Sequence, residues 1–432
     1  MTGKISNITA REVMTSKGTP TIEVDVLLDD GHMGRASAPG GTSRGMCEAV
    51  DLLDGNPTYF NGLGVFKAIS VVKNEIAEYL KKVDPRDQER IDGLLIELDG
   101  TVDKSRLGGN TIVATSIATA KAAAASIHEP LYIYLGGGHL IPLPFVHVMF
   151  GGPAYVGLSG VTDFQEYAII PLRANTYKDG YLAALSVGNC LRLKLAHRTG
   201  HGVPNYNKIA GMPVAHFDSN EEALETITQC IIEQGYEPKQ DMGIYLDVAA
   251  SQLYREGLYH LTADQLQLSS EAMIDYFYRL CRTYPVVALE DPLFEEDWSG
   301  WQMIRSKLDG LVDIIGDDLF VTNSVRLNKG IEMRTAHGLI IKPNQIGTLT
   351  ETYQTVKLAK ESKMATIISP RSGEIWDPYL AHLCVGWQLG QGKIAGAYPS
   401  GELHFNELTR IVDMLGNGAQ YADGHYLSTW SE

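Results

Sequence analysis

The chain is poor in cysteine. Its 432 residues hold five, at Cys47, Cys190, Cys230, Cys281 and Cys384. The number is odd and no CxxC pair occurs, which argues against a disulfide framework and a zinc knuckle. Small buried thiols in a reducing cytosol are the expectation. Positive charge is also short: 36 Lys and Arg stand against 52 Asp and Glu, a net charge of −16. Such a chain repels phosphate backbones and anionic lipid, so neither nucleic acid nor a membrane is an expected partner. No run approaches the ~20 apolar residues of a membrane span. The start, MTGKISNITAREVMTSKG, has no apolar h-region, so no secretory leader and a cytoplasmic location are expected. With 44% apolar and 20% charged residues, the composition is that of an ordinary globular protein. The length suits two to three domains, or one large barrel with an appendage.

Residues 5–28 read as strands. Thr21 to Val26 alternates apolar and polar, and Asp29-Asp30-Gly31 is a turn that should close a hairpin. The Gly-rich stretch Ala38 to Gly45 reads first as a flexible surface loop, with a lid closing on a ligand as the other reading. Residues 65–134 have helical spacing, including an Ala-rich stretch from Thr111 to Ile127. The turn Gly136-Gly137-Gly138 and then Pro142-Leu143-Pro144 suggest a boundary between a domain of 1–138 and one of 139–432. Beyond it, short continuous apolar runs alternate with helices. They are Ile244–Asp247, Val286–Glu290, Val312–Asp317, Leu339–Lys342 and Thr366–Ser369. That pattern predicts an α/β fold with a parallel sheet covered on both faces.

Each run ends on or near a charged residue: Asp247, Glu290, Asp317, Lys342, and Arg371 just past Ser369. In a βα barrel, strand C-termini converge on the active site. Three carboxylates there repel one another unless a cation joins them, and an all-oxygen set suits Mg²⁺. Taken singly, each acid could equally be a helix cap or a surface charge. A partly desolvated Lys342 beside the metal would have a lowered pKa and act as a base α to a carboxylate. Arg371 with Ser372 suits a phosphate or a second carboxylate.

At this point the chain resembles the enolase family, the phosphopyruvate hydratases, over nearly its whole length. Ser16-Lys17-Gly18-Thr19-Pro20-Thr21 is similar to the family's SRGNPT motif. The segments around Asp247, Glu290 and Asp317 resemble its three metal-ligand segments. Ile341 to Thr352 is close to its KxNQIGTLTET run, and Ile368 to Glu374 resembles SHRSGE. The resemblance implies a smaller N-terminal α+β domain, a TIM-like C-terminal barrel and a homodimer or higher homo-oligomer. It implies Mg²⁺ on Asp247, Glu290 and Asp317, with Lys342 as base. Gln165 and Glu166 match the QEF segment, implying a substrate contact and help on the acid side. Lys393 falls on the second active-site lysine, or is an exposed surface Lys.

The departures concern the acid side. The family's general-acid Glu lies before the helix that here begins Ser219-Asn220-Glu221-Glu222, yet Leu195 to Phe217 holds no Asp or Glu. The loop His is missing after Gly151-Gly152, Pro370 replaces a His, and Gly40 replaces a metal-reaching Ser. The implied activity is a lyase acting on a small phosphorylated or phosphonylated carboxylate. It would take 2-phosphoglycerate or, preferably, a modified relative such as the carboxyphosphono-substituted phosphoglycerate of phosphinate and phosphonate natural-product biosynthesis. The rivals are an ordinary glycolytic hydratase with Glu166, His201 or His216 as acid, and a silent paralogue kept for binding.

Overall fold

The computed structural model describes residues 3–41, 44–153, 162–198, 205–206, 213–214, 217–396 and 399–428. Three antiparallel strands open the chain: β1 (Ile5–Met14), β2 (Pro20–Leu28) and β3 (Met33–Ser37). The expected hairpin turn at residues 29–31 joins β2 to β3. Inward residues Ile22, Val24 and Val26 are completely buried, as period-two alternation requires of a sheet with one covered face. The cover is the Ala-rich helix Gly109–Ser126. Nearly all its residues are buried, because it lies in one apolar core that runs from this sheet to the outer face of the barrel.

Eight strands close the barrel: β4 (Leu143–Phe150), β5 (Glu166–Pro171), β6 (Met242–Asp247), β7 (Val286–Glu290), β8 (Asp313–Gly316), β9 (Gly338–Ile341), β10 (Ala365–Ile368) and β11 (Gln391–Gly396). The structure bears out the α/β class. The expectation of a parallel sheet needs one correction: β5 runs antiparallel to both neighbours, β4 and β6. The other neighbours are parallel. Reversal puts the start of β5 level with the ends of the other strands, so Glu166 pairs in register with Asp247.

The barrel interior is filled in layers. Phe145, Ala168, Tyr245, Ala288, Ile315, Ile340 and Ile367 form a dry inner cluster. Inward positions recur every second residue. The next inward step toward the rim therefore reaches His147, Glu166, Asp247, Glu290, Asp317, Lys342 and Ser369. A charged layer sits directly on an apolar plug.

Candidate active site

Lys393, on β11, is the hub of that layer. Its Nζ lies 2.7 Å from Glu290 Oε2, 2.9 Å from Glu166 Oε2 and 3.1 Å from Asp247 Oδ2, above the ring of Tyr245. It is 2% exposed, so the surface-lysine alternative does not hold. Three carboxylates overcome the cost of burying the ammonium and hold its pKa well above normal. Burial pushes the carboxyls the other way, Asp247 up to about 6 and Glu290 up to about 7. For Glu166 burial also pushes up, but Lys393 and His147 outweigh it and the group ends well below its ordinary range.

Lys342 stands across the mouth, paired through Nζ with Asp317. The expected lowering of its pKa is not found. Burial is the largest influence and lowers it, but Asp317 and Glu290 together outweigh burial and the net shift is upward. Nearby opposite charges favour the charged ammonium, against the desolvation that disfavours it. Asp317 is also held by Gln345, whose Nε2 donates to Oδ1 at 2.8 Å. Gln345 Oε1 accepts from Thr322 Oγ1 at 2.7 Å, and that hydroxyl accepts the Lys342 backbone N–H at 2.9 Å.

The anion end is built from both halves of the chain. Arg371 Nη1 donates to Glu48 Oε2 at 2.9 Å, both side chains being buried. Lys17 Nζ donates to Ser372 Oγ at 2.6 Å. Burial, reinforced by repulsion from Arg371, lowers the Lys17 pKa to about 8. The Gly-rich stretch is not a free surface loop. Gly40 and Gly373 exchange two backbone hydrogen bonds, each 2.8 Å. A Cβ on Gly41 would lie 1.9 Å from Arg371 Nη2, so any larger residue would push the guanidinium from its place on Glu48. Gln165 is buried beside β6, its N–H on Asp247 O at 2.9 Å and its Oε1 accepting from Gln252.

Backbone strain gathers at the same rim. Ala249, Asp291, Val321 and Thr322 all have positive φ, of 49°, 44°, 44° and 55°. For β-branched Val and Thr this is a sparsely populated conformation, retained where the surroundings over-determine it.

The donor set fits Mg²⁺. It is all oxygen. Glu48, Glu166, Asp247, Glu290, Asp317 and Asp318 are buried there against the three cations Arg371, Lys342 and Lys393. Glu290 is fully buried, yet its Oε1 has no hydrogen-bond partner among the described residues. Asp247, Glu290 and Asp317 stand at three consecutive strand ends, the first two drawn onto Lys393. The trio of acids with ligand oxygens within 4.8 Å of one another is a different one, Asp291, Asp317 and Asp318. Asp291 spends both its oxygens on the backbone N–H groups of Asp317 and Asp318, at 2.9 and 2.8 Å. It braces the turn.

Two contributors escaped the sequence reading. Glu48 lies 323 positions from Arg371, and nothing local marks it. His147 could have been found: following Leu143 and Phe145 at every second position, it is the polar member of an inward series on β4. His201 and His216 lie outside the described residues, as does most of the stretch from Leu195 to Phe217.

A closed α/β barrel with lysines and carboxylates gathered at the rim where strands end defines a TIM-barrel protein with its site at the mouth. The chain matches the family model for the enolase N-terminal domain over residues 5–135 and that for the enolase C-terminal TIM barrel domain over residues 138–429. It belongs to the enolase family. Membership supports a lyase, and within that class a hydro-lyase, in a family that is generally Mg²⁺-dependent. No helix among the described residues is long and apolar enough to cross a membrane.

Proposed function

We propose that the protein is a Mg²⁺-dependent lyase that takes the α-proton from a small phosphorylated or phosphonylated carboxylate and expels a β-substituent. Its preferred substrate in this reading is a modified relative of 2-phosphoglycerate, such as a carboxyphosphono-substituted phosphoglycerate. The barrel of residues 139–432 would carry the chemistry, capped by residues 1–138, in a homodimer.

Arg371, with Ser372 and Lys17 beside it, binds the phosphoryl or phosphonyl end. Lys342 receives the α-proton at Nζ. The electron pair left behind forms the new double bond as the β-substituent departs with its own pair. Lys393 and Glu166 form the opposite wall, and Gln165 lies next to them. Mg²⁺ held by Asp247, Glu290 and Asp317 would supply positive charge beside the substrate carboxylate.

The observation that carries the substrate preference is the state of Glu166. Its Oε2 is engaged by both Lys393 Nζ at 2.9 Å and His147 Nε2 at 2.8 Å, which favour its charged form, and Leu195 to Phe217 offers no carboxyl in its place. A departing hydroxide needs a proton, and losing a positioned acid costs on the order of 10²–10⁴-fold. A substrate that supplies its own acid, as the extra carboxyl of the carboxyphosphono group can, or one with an easier leaving group, avoids that loss.

The test measures two half-reactions with Mg²⁺ present: α-deuterium exchange by NMR, and enol product by absorbance. With 2-phosphoglycerate, exchange should outrun elimination, while the carboxyphosphono relative is eliminated readily. Lys342→Ala should lose exchange by roughly 10²–10⁴-fold or more and keep metal binding. Turnover of 2-phosphoglycerate at about ten per second or faster would restore the ordinary hydratase. No exchange and no elimination across a panel of phosphorylated and phosphonylated glycerates would leave a binding paralogue.

A further inference from the structure

His147 sits on the inward face of β4, 2% exposed. Its Nε2 is 2.8 Å from Glu166 Oε2. The same oxygen lies 2.9 Å from Lys393 Nζ, and Lys393 in turn reaches Asp247 and Glu290. An ammonium in contact favours the charged form of Glu166, and a carboxylate oxygen can only accept. The imidazole nitrogen facing it must therefore carry the hydrogen and donate. The ring of Phe150, edge-on at 5.4 Å, flanks the imidazole. The register of β4, β5 and β6 sets Phe150 opposite Glu166 and Glu166 opposite Asp247, so the imidazole, the carboxylate and the ammonium are braced by three neighbouring strands and β11.

We propose that His147 is a positioning residue for the elimination half-reaction: its Nε2–H pins Glu166 against Lys393 and so sets the wall from which the β-substituent leaves. The inference rests on the lyase reading above. Lys342 and Asp317 lie on other strands and make none of these contacts, so removing the imidazole should spare proton abstraction. A His that merely fills space would affect both halves alike, or neither.

The test uses the full-length protein with Mg²⁺, following α-deuterium exchange and elimination with 2-phosphoglycerate and with its carboxyphosphono relative. In His147→Leu, elimination kcat should fall about 10–100-fold, the usual scale for losing the partner that orients a reacting group, with exchange within about twofold of wild type. His147→Gln keeps an N–H donor at similar reach and should recover most of the elimination rate. Nitrogen-15 NMR of the resting enzyme should show the His147 Nε2 protonated, with its signal moved by Glu166→Gln. Equal elimination in His147→Leu and wild type would overturn the proposal. So would an equal loss of both half-reactions, or a Nε2 without its proton. If His147→Leu does not fold, a folded His147→Gln decides: near-wild-type elimination supports the donor role and lost elimination refutes it. Wild-type enzyme that neither exchanges nor eliminates would overturn the lyase reading and this proposal together. Wild-type enzyme that eliminates beside an equally fast His147→Leu would overturn this proposal alone.

Discussion

His404, on the helix Pro399–Leu415, is fully buried, and neither ring nitrogen has a hydrogen-bond partner among the described residues. Burial pushes its pKa down to about 3. In the unfolded chain it would take a proton near the ordinary value of about 6.5. Between those values the unfolded state binds more protons than the folded one. The stability due to a neutral His404 is therefore intact above about pH 6.5 and is lost as pH falls toward 3. At pH 4.5 the loss should be on the order of 2–3 kcal/mol. His404→Leu should show a smaller drop in unfolding free energy between pH 7.5 and 4.5 than wild type, read from urea midpoints. Equal drops in the two proteins would count against the assignment. At this scale the sequence reveals identity better than electrostatics. Asp247, Glu290 and Lys342 stand out as charges closing apolar runs, but the direction of the Lys342 shift depends on Asp317, brought alongside by the barrel's curvature.

The N-terminal strands and the helix Gly109–Ser126 meet with almost no gap. A Cβ on Gly34 would lie 1.9 Å from Ala118 O and 2.3 Å from Ala122 N. Both are helix backbone, which cannot swing aside as a side-chain tip can. Gly34→Ala should destabilise by about 1–3 kcal/mol or more through overpacking, seen as a lower melting temperature. Gly93, exposed in the helix Gln88–Asp99, has nothing within 4 Å of its missing Cβ. Gly93→Ala should raise stability by roughly 0.5–1 kcal/mol, since the unfolded chain loses freedom and the helix gains a better former. A melting temperature unmoved by Gly34→Ala would refute the close packing. Five of the eight barrel strands, β6 to β10, were legible as apolar runs, whereas β4, β5 and β11 were not. Nor was the direction of β5, because an apolar strand looks the same read either way.

Across the whole molecule, the net charge of −16 has a focus in the barrel mouth, where buried acids outnumber cations. A ligand that binds only the folded state stabilises it by mass action, about 2.7 kcal/mol at a hundredfold excess over Kd. Mg²⁺ at millimolar concentration should therefore raise the melting temperature of the wild type, and do so much less in Asp247→Asn or Glu290→Gln. NaCl at matched ionic strength controls for screening. A rise of the same size in all three proteins would place the metal elsewhere.

The pattern of apolar runs determined the α/β class, five of the eight barrel strands and the sheet-and-helix N-terminal layer, and the charges that end those runs marked residues that gather at the barrel mouth. These depend on backbone periodicity and on residues a few positions apart, both written along one strand at a time. Tertiary structure alone decided the rest. Gly40 paired with Gly373 and Gly41 came against Arg371, Glu48 joined the site from 323 positions away, and reversal of β5 set Glu166 between His147 and Lys393. Those contacts join residues far apart in sequence, and closure of the barrel, which no single segment encodes, sets the distances between them.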